Sequence, residues 1–187
     1  KLATQNSQLK TRIGILAIHG DVAEHAAILR KLKFEVIEVR AKKDFENLDG
    51  LILPGGESTT IAKLAEKFGL IPAIKKFAAN GKPIFGTCAG MILLAQFGLL
   101  DAKIERNFYG RQLDSFEVNL QIPKISKKKI ATAFIRAPKI LSLGAKVEIL
   151  AKFENVPILV RERNIFAASF HPEISGETKI HEFIFGK

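Results

Sequence analysis

The sequence is short of the residues that would staple or anchor a chain. Its 187 residues include a single cysteine, so no internal disulfide can form. One free thiol fits a reducing compartment, and the cytoplasm is the expected location. No run approaches the roughly 18 continuous apolar residues of a membrane helix, so no membrane span is expected. The polar start, residues 1–11, lacks the apolar core of a secretory signal and reads as a loose tail or the end of a transit peptide. There is no internal repeat, no low-complexity linker and no aromatic-plus-basic sheet motif of an RNA-binding domain. The formal charge is +10. The lysines are dispersed apart from Lys127, Lys128 and Lys129, and such a run reads as a solvated loop, so no nucleic-acid partner is expected.

What is present suits a single domain, here expected over residues 12–187. A chain of this size buries about 70% of the surface it would expose unfolded, and needs neither metal nor disulfide to hold it. Strand and helix signals alternate through the first half. Ile13–Ile18 is a short apolar run, as in a strand buried on both faces. Gly20 and Asp21 break it. Asp21 is placed to cap a helix, with Glu24 three residues on as in a capping box. Strands follow at 34–39 and 50–53. Pro54-Gly55-Gly56 forces a turn, and Ser58 or Thr59 can cap the next helix, to about Phe68. Another helix spans about 71–79, then come a strand at 83–86 and a helix at 89–97. The second half is strand-rich, at 115–122, 130–135, 147–153, 157–161 and 165–170, with a closing helix at 177–185. The expected fold is α/β: three layers, a mostly parallel central sheet with helices on both faces, and added antiparallel strands.

The sharpest local pattern is Gly86-Thr87-Cys88-Ala89-Gly90, between a strand and a helix. It has the form of a nucleophile elbow with cysteine in the serine position. The chain must reverse within a few residues, and glycines two before and two after Cys88 allow strand and helix to approach. The side chain then projects from the carboxyl edge of the sheet, where open α/β folds keep their sites. A helix N-terminus favours negative charge there, and the Ala89 amide is placed to meet an oxyanion beside Cys88.

A thiol nucleophile calls for a histidine and a group to hold it. Of four histidines, His25 and His181 fall within helix patterns and read as surface or packing residues. His19 ends the first strand, at the elbow's edge of the sheet, and competes for the role. His171 opens His171-Pro172-Glu173 after a strand, and Glu173 can accept a hydrogen bond from its ring and fix the tautomer.

These residues resemble the class I (triad) glutamine amidotransferases and, more narrowly, the glutaminase subunits of two-subunit pyridoxal 5′-phosphate synthases. The likeness runs from Arg12 to about Phe185. It rests on Leu53-Pro54-Gly55-Gly56-Glu57-Ser58-Thr59-Thr60, the Cys88 elbow, Arg106-Asn107-Phe108-Tyr109-Gly110-Arg111-Gln112, Asp114-Ser115-Phe116, Phe134-Ile135-Arg136-Ala137-Pro138 and Ser169-Phe170-His171-Pro172-Glu173. The elbow and His-x-Glu are widely shared. The stretches around Arg106 to Phe116 and Ile135 to Pro138 belong to the narrower group.

The resemblance implies Cys88 as nucleophile, His171 as general base and acid, and Glu173 as its orienter. It places Gly56, Glu57 and Ser58 along the glutamine site, with Gly56 and the Ala89 amide as oxyanion hole and Arg106, Ile135 and Arg136 as further glutamine contacts. It implies L-glutamine as substrate, no cofactor or metal in this chain, and a (β/α)8-barrel synthase subunit as partner in a large hetero-oligomer. An arginine fork suits the α-carboxylate of glutamine. One departure is Ile18-His19-Gly20, where the family usually has Leu-Gln-Gly. The alternatives are the glutaminase subunit of another amidotransferase, such as imidazole glycerol phosphate synthase, and a non-catalytic binding module on the same scaffold.

Overall fold

The computed structural model describes residues 10–106 and 115–186. The first half alternates β1 (Arg12–Leu16), α1 (Val22–Lys31), β2 (Glu35–Val39), β3 (Gly50–Leu53), α2 (Ser58–Lys67), α3 (Leu70–Ala79), β4 (Ile84–Thr87) and α4 (Ala89–Gln96). The second half contributes β5 (Ala102–Glu105), β6 (Ser115–Leu120), β7 (Ile130–Ile135), β8 (Lys139–Leu143), β9 (Glu148–Phe153), β10 (Val156–Glu162), β11 (Ile165–Ala168) and α5 (Lys179–Phe185). A 3-10 turn at Lys42–Phe45 and the strands β5 and β8 were not expected from the sequence. No helix among the described residues is long and apolar enough to cross a membrane.

Seven strands form the central sheet in the order β2-β1-β3-β4-β11-β10-β9. β2, β1, β3, β4 and β11 run parallel, and β10 and β9 add on antiparallel. Two antiparallel pairs, β5-β8 and β6-β7, lie outside it. Apart from Arg12 and Thr87, β1, β3, β4 and β11 consist of apolar residues and glycine, because both faces are covered. Their side chains alternate between two cores, as the strand period of two requires. Ile84, Ile165 and Ala167 meet α2, α3 and α4 through Ile61, Ile74, Met91 and Leu94. Phe85, Phe166 and Ala168 meet α1 and α5 through Leu29, Ile180 and Ile184, and meet β7 through Phe134. The result is the three-layer α/β architecture expected from the alternation.

This layering brings three loops to one edge. β1, β3 and β4 all end at the carboxyl side of the sheet, and the turns after them pack together. The Asp21 amide donates to the Gly55 carbonyl at 3.2 Å. A β-carbon on Gly20 would lie 1.9 Å from that same oxygen, so only glycine permits the contact.

Candidate active site

β4 is held between β3 and β11, so the chain leaves it at the centre of the sheet. Cys88 takes φ 49° and ψ −104°, a conformation that costs strain for any residue with a β-carbon. Its amide donates to the Ala168 carbonyl at 2.8 Å, which ties the elbow to β11. The two flanking glycines are sterically required. A β-carbon on Gly90 would stand 1.9 Å from the Leu53 carbonyl oxygen, and one on Gly86 2.6 Å from the Gly90 carbonyl carbon. The sharp bend therefore follows directly from the spacing seen in the sequence.

β11 passes beside the elbow and carries His171 three residues beyond its end. The His171 amide donates to the Ala133 carbonyl at 2.7 Å, fixing this loop against β7. β7 in turn brings the Ile135 carbonyl to 3.9 Å from Cys88 Sγ, where it accepts from the thiol. Glu173 turns inward with a fully buried side chain, its Oε1 2.7 Å from His171 Nδ1. Burial by itself disfavours a charged His171. Hydrogen bonding to Asp21, Cys88 and Glu173, together with the Glu173 charge, outweighs that and pushes its pKa up to about 12. An imidazolium held in this way is the partner a thiolate needs.

The cleft above Cys88 encloses about 440 Å³. Gly56, Glu57, Ser58, Cys88, Ala89, Arg106, Ile135, Arg136 and His171 line it, so the structure gathers these residues from five separate stretches of chain. Glu173 sits behind His171 rather than in the wall. Arg106 and Arg136 are exposed. Arg106 Nη1 donates to Thr59 Oγ1 at 2.8 Å, which steadies one guanidinium at the rim. Arg136 follows β7 with φ 43°, a left-handed turn that ends the strand. The stretch Asn107 to Asp114, part of the subfamily signature, lies outside the described residues.

Several assignments made from the sequence change. Asp21 does not cap α1 with its side chain. The carboxylate instead turns to the cleft, with Oδ2 3.4 Å from His171 Nδ1, as a second acidic neighbour of the ring. Gly55 leaves room for this arrangement: a β-carbon there would meet His171 Cε1 at 2.4 Å and Asp21 Oδ2 at 2.5 Å. Asp21 follows a strand end at the site's edge, and that position was the available clue to its role. Neither Ser58 nor Thr59 caps α2. Glu57 does so, accepting from the Thr59 and Thr60 amides and the Thr60 hydroxyl. Those bonds, led by the Thr60 hydroxyl, hold the Glu57 carboxyl down at about 2.

His19 is exposed and does not line the cleft, so its rivalry with His171 ends there. His25 and His181 are not surface residues and do more than pack. Both are completely buried, and they form a polar contact behind Glu173. Asp21, His171 and Glu173 offer ligand atoms within 4.8 Å of one another. His171 Nδ1 is already bonded to Glu173 and stands 3.4 Å from Asp21, so the grouping serves the imidazole.

A strained cysteine at a helix start, an imidazole backed by a buried carboxylate and two arginines at the rim suit acyl transfer from a small substrate bearing a carboxylate. Comparison with known proteins agrees. The model of the SNO glutamine amidotransferase family matches residues 15–187. The chain is 47% identical over 181 residues to the pyridoxal 5′-phosphate synthase subunit PdxT of Pseudothermotoga lettingae, covering 91% of this chain and 92% of that one. It is 42% identical to the PdxT subunit of Thermotoga maritima, covering 92% and 96%. A crystal structure of a glutamine amidotransferase superposes with a TM-score of 0.88 at 42% identity, over 92% of this chain and 96% of that one. The PurLQS structure from Thermotoga maritima shares the fold, with a TM-score of 0.73 at 19% identity over 94% and 98%. Elbow, buried His-Glu pair and whole-chain similarity agree, and the chain belongs to the SNO glutamine amidotransferase family.

Proposed function

We infer that this chain is the glutaminase subunit of a pyridoxal 5′-phosphate synthase: it hydrolyses L-glutamine to glutamate and ammonia and delivers the ammonia to a synthase subunit. The observation that carries the reading is the buried His171–Glu173 pair, whose ring lines the same cleft as the strained Cys88. The relatives named PdxT support the assignment to this pathway.

Glutamine enters with its side-chain amide towards Cys88 and its α-carboxylate towards Arg106 and Arg136. The thiol proton already rests on His171 as an imidazolium, and Sγ adds as the thiolate to the amide carbon. The oxyanion that forms is met by the Ala89 amide, at the start of α4 where backbone N–H groups have no partner within the helix, and by the Gly56 amide. His171 returns its proton to the leaving nitrogen, the C–N bond breaks and ammonia departs. A thioester remains on Cys88. His171 then removes a proton from water, hydroxide adds to the acyl carbon, and the thiolate leaves as glutamate forms. Glu173 holds Nδ1 of the ring protonated throughout and balances its charge. Asp21 is a second acceptor at the open side of the ring.

The partner on this reading is a (β/α)8-barrel synthase subunit, assembled with this chain into a large hetero-oligomer and supplied with ammonia inside it. A free reactive thiol suits a reducing, cytoplasmic setting. The test is to mix the chain with its synthase subunit and follow glutamine-dependent pyridoxal phosphate formation. A glutamine-like affinity label should alkylate Cys88, and Cys88→Ala should abolish both labelling and turnover. Turnover by Cys88→Ala, or synthesis that needs free ammonia even with the intact chain present, would refute the reading.

A further inference from the structure

Behind Glu173 the molecule buries two histidines that this chemistry does not use. His25 comes from α1 and His181 from α5, and both are completely enclosed. Their rings meet edge to face with centroids 5.2 Å apart. His25 Nδ1 lies 3.0 Å from His181 Nε2. On its other side, His25 Nε2 lies 3.0 Å from Thr87 Oγ1 and 3.5 Å from Glu173 Oε1. That carboxylate oxygen is the one bonded to His171 Nδ1. A file of polar groups therefore runs from the cleft inward, through His171, Glu173 and His25 to His181. Burying two imidazoles in an otherwise apolar layer carries a desolvation cost that aliphatic side chains would avoid.

We propose that His25 is a positioning residue for the glutaminase reaction: a neutral imidazole that carries its proton on Nε2 and directs it at Thr87 Oγ1 and Glu173 Oε1, while Nδ1 accepts from His181 Nε2. The inference rests on the roles given above to Cys88, His171 and Glu173.

The donor pattern follows from what surrounds Glu173. Its side chain is sealed from solvent, and Oε2 makes no hydrogen bond. Burial favours the protonated acid, and the His171 bond to Oε1 is the main support its charge receives against that. A bare nitrogen lone pair on His25 facing that oxygen would repel it, whereas an N–H stabilises it. With the proton on Nε2, His25 Nδ1 must accept, and His181 must donate from Nε2. His181 Nδ1 is then the unprotonated atom, and that atom has no hydrogen-bond partner. A bare buried acceptor is tolerated better than an orphaned N–H.

The charge state of His25 follows from its neighbours. It faces His181 on α5, Thr87 on β4, and His171 and Glu173 on the loop after β11, with Asp21 further out beside His171. Burial, then the charges of His181 and His171, hold His25 well below its ordinary pKa. Burial also lowers His181 to about 3, against a smaller opposite pull from the Glu177 backbone. A neutral His25 supports the carboxylate as a dipole and does not compete with the His171 imidazolium as a second cation.

The test uses the assembled synthase with variants of His25. His25→Met fills the space without a donor, and His25→Gln restores an N–H near the position of Nε2. The Met variant should lose about tenfold in kcat, the scale of a hydrogen bond to a charged group, with KM for glutamine unchanged. The alkaline limb of its kcat/KM profile should move to lower pH, because a less well supported Glu173 holds the His171 proton less firmly. The Gln variant should recover most of kcat and the wild-type limb. Equal behaviour of Met and Gln, or a change in KM alone, overturns the proposal. Histidine 15N NMR on the unaltered protein is independent of whether the variants fold. His25 protonated on Nε2 supports the inference, and protonation on Nδ1 overturns it. Cys88→Ala run alongside separates the two readings. An active Cys88→Ala removes the nucleophile assignment and this inference with it. An inactive Cys88→Ala beside a wild-type-like His25→Met removes only the positioning role.

Discussion

The two flanks of His171 are built on opposite plans. The inner flank, with Glu173, Thr87, His25 and His181, is sealed, and its residues are joined in one file of polar contacts that leaves Glu173 Oε2 and His181 Nδ1 without a partner. The outer flank, with Glu57, Arg106 and Arg136, is exposed, and its groups are steadied by local bonds or point to solvent. Asp21 stands between them, partly exposed and in reach of the same ring nitrogen as Glu173. The contrast separates two tasks. Groups that hold a charge in one geometry work best in a rigid, low-dielectric setting. Groups that admit and release a polar substrate must stay accessible.

The comparison can be broken from the inside outward. Cys88→Ala stands at its centre and should lower kcat for glutamine hydrolysis by roughly 10⁶-fold, as loss of a covalent nucleophile does elsewhere. Glu173→Gln keeps the shape of the inner flank but removes its charge. It should cost roughly 10⁴-fold in kcat, with little change in KM, measured by ammonia release. On the outer flank, Arg106→Ala or Arg136→Ala should raise KM for glutamine by about tenfold through loss of a charge-assisted hydrogen bond, with a smaller effect on kcat. If Glu173→Gln acted on KM and the arginines on kcat, the division of labour drawn here would be wrong.

The inner flank also predicts a pH dependence of stability. His171 binds its proton more tightly folded, near 12, than unfolded, near 6.5. Its contribution is complete below about pH 6.5 and is lost as pH rises towards 12. His181 has the opposite sign, with a folded value of about 3 against 6.5 unfolded. Its burial as a neutral ring costs stability progressively as pH falls from 6.5 to 3. Denaturant midpoints across these ranges should therefore show a loss on the acid side that His181→Leu reduces. An unchanged acid slope in that variant would place the acid sensitivity elsewhere.

The elements of the fold were largely legible because their signals are local. Short apolar runs between helical patterns located β1, β3, β4 and the helices to within a few residues. The elbow was legible for the same reason, since Gly86, Cys88 and Gly90 state their own steric requirement. β5 and β8 were not. Each is short, and β5 alternates half-buried with exposed residues, so neither carries the continuous apolar signal of a central strand. Asp21 read as a helix cap because its neighbours in sequence call for one. Its carboxylate found a stronger partner in an imidazole 150 residues away. His25 and His181 were misread because helical periodicity marks which positions face inward but not what they meet there.

By itself the sequence determined the alternating α/β plan, the strained bend at Cys88, and the short His171-Pro172-Glu173 unit that sets a carboxylate beside a ring. All of these depend on residues within a few positions of one another. Only the tertiary structure decided that β11 would lie next to β4 and carry His171 to the elbow, that Asp21 would turn to the same ring, and that two helices from opposite ends of the chain would close a histidine pair behind Glu173. Those contacts arise from burying both faces of one sheet, an energy shared over the whole molecule that no local run of residues specifies.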